Sequence, residues 1–179
     1  MTGDHGEGLG EHGEATHGLF AYEATLHVPL IVAQIDRNTS PWAAGTGLPQ
    51  KGRVSDASVQ LVDIAPSILD ALGLAVPAGL AGRPVLGKAG RISDVPAYFE
   101  SMSASLNRGW APLTGVLLGR EKFVSLPIPE LYDLGDDPGE SRNLIDSRTD
   151  RRRVLEAHLQ RLGAPGRPER TLVDAESSA

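Results

Sequence analysis

The sequence predicts an α/β chain in which helices and short strands share the core and a helix closes the fold. Three observations carry that reading. Val28-Pro29-Leu30-Ile31-Val32-Ala33 is a short continuous apolar run, with the length and composition of a buried strand. Between Ala57 and Leu72, the residues Val59, Val62, Ile64, Ile68, Leu69 and Leu72 recur on one helical face. From Val95 to Leu134 the texture changes to short apolar runs separated by turn residues, the pattern of a small antiparallel sheet.

Taken in order, Leu19 to Leu26 has helix-compatible apolar spacing. In the apolar run that follows, Pro29 falls near the start, where a missing N–H costs least. The stretch Asn38 to Gly52 contains Pro41, Pro49 and several glycines and reads as a surface loop. Ser55 or Asp56 can cap the next element. Pro66 interrupts the helical pattern because proline removes a backbone donor and clashes with the preceding turn. Either two short helices therefore meet near Ala65, or one helix starts at Pro66, and Gly73 ends it. Ala75 to Gly90 is rich in glycine and proline and reads as irregular.

The expected strands are Ala97-Tyr98-Phe99-Glu100, Leu113 to Leu118, Lys122 to Leu126 and Glu130 to Leu134, with Leu118 to Lys122 making a tight hairpin turn. Arg148 to Leu162 places Val154, Leu155, His158, Leu159 and Leu162 in helical register and predicts a closing amphipathic helix. Gly163 stops it, and a mobile tail is expected beyond. The domain reading is 1–94 for the α/β part, 95–146 for the antiparallel subdomain, 147–163 for the helix and 164–179 for the tail.

A length of 179 residues with 40% hydrophobic content is enough for one domain with a real core. The formal charge of -6 and a pI near 5.3 argue against nucleic acid as partner, since phosphate recognition asks for a basic surface. With no cysteine there is no disulfide framework, and the redox compartment stays open. No apolar run has membrane-spanning length, and no basic-then-apolar leader follows Met1, so localisation is undetermined.

The chemistry is densest at the front, in Thr2-Gly3-Asp4-His5-Gly6-Glu7, Leu9-Gly10-Glu11-His12-Gly13 and Thr16-His17-Gly18. Asp4 followed at once by His5 offers a hard carboxylate oxygen and an imidazole nitrogen on one tight turn, and both can face a single divalent cation. Gly3 and Gly6 are expected to take positive φ and to approach a ligand closely. A bland alternative for the pair is an Asx-type turn beside a surface histidine. Glu7 and His12 are open between orienting a ligand and plain surface charge, and Glu11 reads as surface charge. His27 and His158 read as structural, and Asp136-Asp137-Pro138-Gly139 as a turn rather than a Ca²⁺ loop. Trp110, with Tyr98 and Phe99, could line a substrate mouth or simply pack.

These segments together resemble the sulfatases of the alkaline phosphatase superfamily. The likeness runs from Gly3-Asp4-His5-Gly6-Glu7 through Tyr22-Glu23, Val28 to Val32, Val59 to Asp70 and Gly82-Arg83-Pro84-Val85-Leu86. It continues through Glu130 to Leu134, Asp137-Pro138-Gly139-Glu140 and Asn143-Leu144. It implies an alkaline-phosphatase-like sandwich, here with a truncated parallel sheet, because the matching segments belong to the family's carboxyl-terminal part. On this reading Met1 stands at the exit of a parallel strand, and the chain is either a fragment or has a misplaced start.

The resemblance implies metal ligation by Asp4 and His5, with Ca²⁺ the first choice of cation and Mn²⁺ or Mg²⁺ as alternatives. His17 stands thirteen places after Asp4, where many relatives carry a lysine that touches the transferred group, so a role in assisting the leaving oxygen is expected. Its bland alternative is a loop histidine satisfied by backbone. The family's nucleophile is a formylglycine made from Cys or Ser ahead of x-Pro-x-Arg, and this sequence has no such motif: Ser40 is followed directly by Pro41, and Ser125-Leu126-Pro127-Ile128-Pro129 ends in proline. In intact relatives a formylglycine hydrate oxygen at the metal attacks sulfur.

The implied function is thus the carboxyl-terminal part of a metal-dependent sulfate-ester hydrolase, inactive alone, with a small-molecule sulfate or phosphate ester as substrate and the missing amino-terminal half as partner. Two rivals stand beside it. His5 keeps open a phosphodiesterase or phosphonate monoester hydrolase of the same superfamily, and a noncatalytic remnant or interaction module is the third reading. A sheet lacking its central strands is also expected to expose apolar surface and to associate.

Overall fold

A computed structural model of the chain describes residues 1–33, 54–55, 57–86 and 95–163. The predicted surface loop at 38–52, the cap at Asp56, residues 87–90 and the tail at 164–179 lie outside the described residues.

The centre is a four-stranded antiparallel meander of β1 (Ala97–Ser101), β2 (Leu113–Leu118), β3 (Glu121–Ser125) and β4 (Glu130–Asp133), in sequential order. Gly119, at φ 61°, takes the left-handed turn between β2 and β3 that a side chain would resist. Pairing runs Phe99 to Gly115, Val116 to Phe123 and Phe123 to Leu131, which fixes which residues share a face. At Gly115 a Cβ would collide with the Phe99 ring, so glycine here makes room for an aromatic on the neighbouring strand.

Alternation along the strands buries both faces. One face carries Val116, Phe123 and Leu131, which pack with Ile145 against Leu155 and Leu159 of the closing helix, α4 (Thr149–Arg161). Each such fully buried side chain contributes roughly 1.5–3 kcal/mol. The other face carries Leu113 and Val124 and is covered by the amino-terminal segment through Ala21, Phe20 and Leu26. The strands and closing helix match the sequence expectation to within a residue or two.

Between β1 and β2 lies a helix that the sequence reading did not anticipate, α3 (Ser103–Arg108), ended by Gly109 at φ 66°. Of the expected helix at 19–26 only α1 (Glu23–Leu26) forms. The run 28–33 is not a strand: among the described residues it pairs through Met1 N to Ile31 O (2.6 Å) and Ile31 N to Met1 O (2.8 Å), with Leu30, Ile31 and Val32 exposed. No parallel strand pair occurs among the described residues. An apolar strand needs neighbours on two sides to be buried, and the described residues provide none.

The helix expected over 57–72 is a 3-10 turn, Leu61–Asp63, followed by α2 (Ile64–Ala71). Pro66 sits in the first turn of α2, where its missing N–H is an orphan in any case. Ser55 Oγ accepts the Ala57 N–H at 3.3 Å, while the carboxylate that organises the helix start is Asp63, buried, taking the Gln60 N–H at 3.0 Å and the Arg83 N–H at 2.9 Å. The predicted apolar face is turned outward. Pro66 and Ser67 are the buried positions, because the strap through Arg83 and Val85 crosses there and Val85 N donates to Ser67 Oγ at 2.9 Å, whereas Val59, Val62, Ile68 and Leu72 are exposed.

Candidate functional site

Residues 1–27 form a folded-back loop laid over one face of the sheet. Glu14, buried, accepts the N–H groups of Leu19 (2.7 Å) and Phe20 (3.2 Å), and Gly8 N donates to Thr16 O at 2.7 Å, so the two limbs run side by side. Gly6 N donates to Thr25 O at 2.8 Å. Neither Gly3 nor Gly6 takes positive φ, contrary to expectation; those conformations fall at Gly10, Gly13 and Gly18. Gly6 is needed for a different close approach, since a Cβ there would collide with the Ala24 carbonyl oxygen. The tight packing is of the loop on itself.

That packing brings three candidate side chains together. Asp4 Oδ2 lies 3.8 Å from His5 Nε2 on the exposed rim of the loop. His5 Nδ1 donates to the Gly6 carbonyl at 2.7 Å, which places a ring proton on Nδ1. The rings of His5 and His17 meet at 4.1 Å between centroids with a 36° tilt. His17 Nδ1 lies 3.0 and 3.2 Å from the two Glu7 oxygens. Backbone N–H groups of Asp4 and His5, and then the imidazole of His5, hold the Asp4 carboxyl below the usual carboxylate range. The Gly6 carbonyl raises the His5 imidazole.

With His5 neutral, its Nε2 and the Asp4 carboxylate are two donors 3.8 Å apart, a separation that two ligands of one cation can take. They are two donors toward a preferred number of roughly six or more. No cluster of three or more His, Cys, Asp or Glu side chains able to hold a metal ion is found among the described residues.

The remaining candidates separate clearly. His12 stacks on Tyr22 at 3.6 Å and 12°, and its Nε2 donates to Gly139 O at 3.1 Å, so it joins the loop to the 137–140 turn. Glu11 caps its own loop through Leu9 N at 2.6 Å. His27 is exposed, 3.5 Å from Glu23. Asp137 organises a turn by accepting from Ser141 N (3.1 Å), Ser141 Oγ (2.9 Å) and Arg142 N (2.8 Å), as its Pro-Gly neighbours suggest. Tyr98 and Phe99 pack against opposite faces of the sheet, while Trp110 is exposed with Arg108 5.5 Å above its ring.

Two contacts were not legible beforehand. Glu7 meets His17 only because the loop folds back, and ten residues of separation carry no periodic signal for that. The second is a buried charge cluster beneath the loop. Lys122 Nζ lies 2.6 Å from Glu140 Oε1 and 3.4 Å from Glu23 Oε1, and Glu140 Oε2 accepts the Glu23 N–H at 2.6 Å. The Lys122 approach to Oε1 is an ion pair off the hydrogen-bonding axis, so that oxygen has a charge partner but no aligned donor. Tyr22 donates to Glu130 at 3.2 Å, and burial pushes its hydroxyl up to about 12, which keeps it a donor.

Residues 1–74 match the sulfatase family model. Arylsulfatase K of Mus musculus is 30% identical over 156 residues, covering 80% of this chain and 26% of that protein. A solved 2-O GAG sulfatase aligns with a TM-score of 0.66 at 25% identity, covering 91% of this chain and 36% of that one. The phosphonate monoester hydrolase of Agrobacterium radiobacter aligns with a TM-score of 0.61 at 24% identity, covering 90% and 33%. The fold is thus that of alkaline-phosphatase-like hydrolases. Residues 1–74 match the sulfatase family, and over most of its length the chain is similar to sulfatases of the alkaline phosphatase superfamily. It spans about a quarter of the length of the curated relatives it matches. No helix among the described residues is long and apolar enough to cross a membrane.

Proposed function

We propose that this chain is the carboxyl-terminal part of a divalent-cation-dependent sulfate-ester hydrolase and that it is inactive alone. The observation that carries the reading is the facing of Asp4 Oδ2 and His5 Nε2 at 3.8 Å, with His17 stacked against His5. Asp4 and His5 would hold the cation, Ca²⁺ first and Mn²⁺ or Mg²⁺ as alternatives. When bound, such an ion supplies neutralising charge for the sulfuryl group. His17 holds a proton for the leaving oxygen. Two protein donors against a need of roughly six, and the absence of a Cys/Ser-x-Pro-x-Arg motif, support inactivity in isolation. Similarity to a 2-O GAG sulfatase supports a sulfated carbohydrate as substrate.

Mn²⁺ tests the site without needing turnover, because its unpaired electrons broaden nearby resonances. Signals of Asp4 and His5 should broaden first in the wild-type chain and stay sharp in Asp4→Ala. Uniform broadening, or none at His5, removes the metal reading. Neither p-nitrophenyl sulfate nor bis-p-nitrophenyl phosphate should be hydrolysed, and turnover abolished in Asp4→Ala would overturn the inactivity.

A second reading has its own support. The Asp-His pair keeps a phosphate or phosphonate ester open beside the sulfate ester, and the phosphonate monoester hydrolase of similar fold is in keeping with it. In a preparation supplied with the nucleophile-bearing segment, the ratio of the two hydrolytic rates decides between them.

A further inference from the structure

We propose that Glu7 is a positioning residue for His17: it holds the imidazole as the Nδ1–H tautomer, so that Nε2 is the nitrogen presented to the leaving oxygen. The inference rests on the acid role proposed for His17 above and deepens it.

The geometry that carries it is the approach of both Glu7 oxygens to one ring nitrogen, 3.0 and 3.2 Å from His17 Nδ1. A carboxylate can only accept, so the proton between them belongs to Nδ1. The ring is held from a second side by His5, 4.1 Å away between centroids, which fixes its plane as well as its tautomer. The pairing is built into the backbone. Gly8 N bonds Thr16 O at 2.7 Å, and a Cβ on Gly8 would lie 2.8 Å from both the Glu14 and Thr16 carbonyl oxygens, so only glycine lets the limbs close and set residue 7 opposite residue 17. Glu11, on the same loop, spends its carboxylate on Leu9 N and has no such partner role.

The chemical use follows from proton balance. In the imidazolium form Nε2 carries the transferable proton. As sulfur forms its new bond to the attacking oxygen of a nucleophile supplied by another segment, the bond to the leaving oxygen breaks, its electron pair goes to that oxygen, and the oxygen takes the Nε2 proton. What remains is neutral imidazole with its proton on Nδ1, the form Glu7 stabilises. Without Glu7 the ring in water favours Nε2–H, which is the wrong product state for this donation.

The test reads the tautomer directly in the full 179-residue chain. Long-range ¹H–¹⁵N spectra of ¹⁵N-histidine-labelled protein are recorded with EDTA, at a pH where imidazoles are neutral. Wild type should show His17 with a protonated Nδ1 and an unprotonated Nε2. Glu7→Ala should move it predominantly to Nε2–H, while Glu7→Gln, which keeps an acceptor, retains Nδ1–H. Glu11→Ala, a control for general loosening of the loop, should leave His17 as in wild type, and backbone spectra confirm that each variant is folded. An Nε2–H wild type, or a Glu7→Ala chain that keeps Nδ1–H, overturns the proposal. Because the measurement uses neither metal nor substrate, failure of the hydrolase reading would leave this result untouched, and the reverse holds as well.

Discussion

Lys122 has no side-chain surface exposed to solvent, and its ammonium lies 2.6 Å from Glu140. The pair joins strand β3 to the turn at 137–140 and, through Glu23, to the loop that carries Asp4, His5 and His17. Lys122→Met would strand a buried carboxylate, so a loss of about 3–5 kcal/mol is expected in urea denaturation. The double replacement Lys122→Met with Glu140→Gln should recover part of that loss, since both charges go together. A single-variant cost below about 1 kcal/mol would mean that the pair is hydrated in solution.

Glycine at position 6 is required by a clash, and glycine at position 3 much less so. Gly6→Ala sets a methyl against the Ala24 carbonyl and forces the loop off α1, at a cost of about 1–3 kcal/mol. In Gly3→Ala the nearest atom, the His5 carbonyl oxygen, is 3.1 Å away, and a smaller effect is expected. Thermal melts of the two variants side by side check the order.

Acid should weaken the chain through its turns. Backbone donors from Ser141 and Arg142 hold Asp137 below its ordinary value of 3.8, and Arg148 does the same for Asp133. Folded values lower than unfolded ones mean that the unfolded chain binds more protons, so stability rises with pH across this window. The contribution is complete above the ordinary carboxylate value and is lost as pH falls through the folded values. Urea midpoints measured from pH 5 downward should therefore fall, and fall less steeply in Asp137→Asn.

Ile68 on α2 and Leu72 at its end, one turn apart, are exposed, as is Val62 in the preceding 3-10 turn. Contiguous exposed apolar groups of this kind favour association. Light scattering should show self-association that rises with concentration and is reduced in Ile68→Glu. Because Ile68 is exposed, that variant should melt within about 0.5 kcal/mol of wild type.

How far the sequence could be read depended on which forces act locally. The meander and α4 were legible because short apolar runs set off by turn residues, such as Leu113 to Leu118 ahead of Gly119, and the helical spacing of Leu155 and Leu159 report packing within one compact unit. The reading failed where burial depends on neighbours that pattern cannot supply: Val28 to Val32 and the apolar side of α2 carry core-like composition yet face outward. Asp4, His5 and His17 were singled out by type and spacing, and the structure gathers them on one rim. Glu7 stayed open between two readings and Glu140 carried no assigned role, because their partners, His17 and Lys122, lie across the loop or across the sheet, where no short-range periodicity points.

Ser101 Oγ donates to Gly18 O at 2.8 Å, which ties the end of β1 to the residue after His17. The chain then leaves the sheet through α3 and returns at Leu113, already in register with Ser101. Insertions or deletions between Ser103 and Pro112 would therefore reshape the segment next to Gly18 while every strand keeps its partner. Length changes in this stretch alter what lies beside the amino-terminal loop and leave the meander's register as it is.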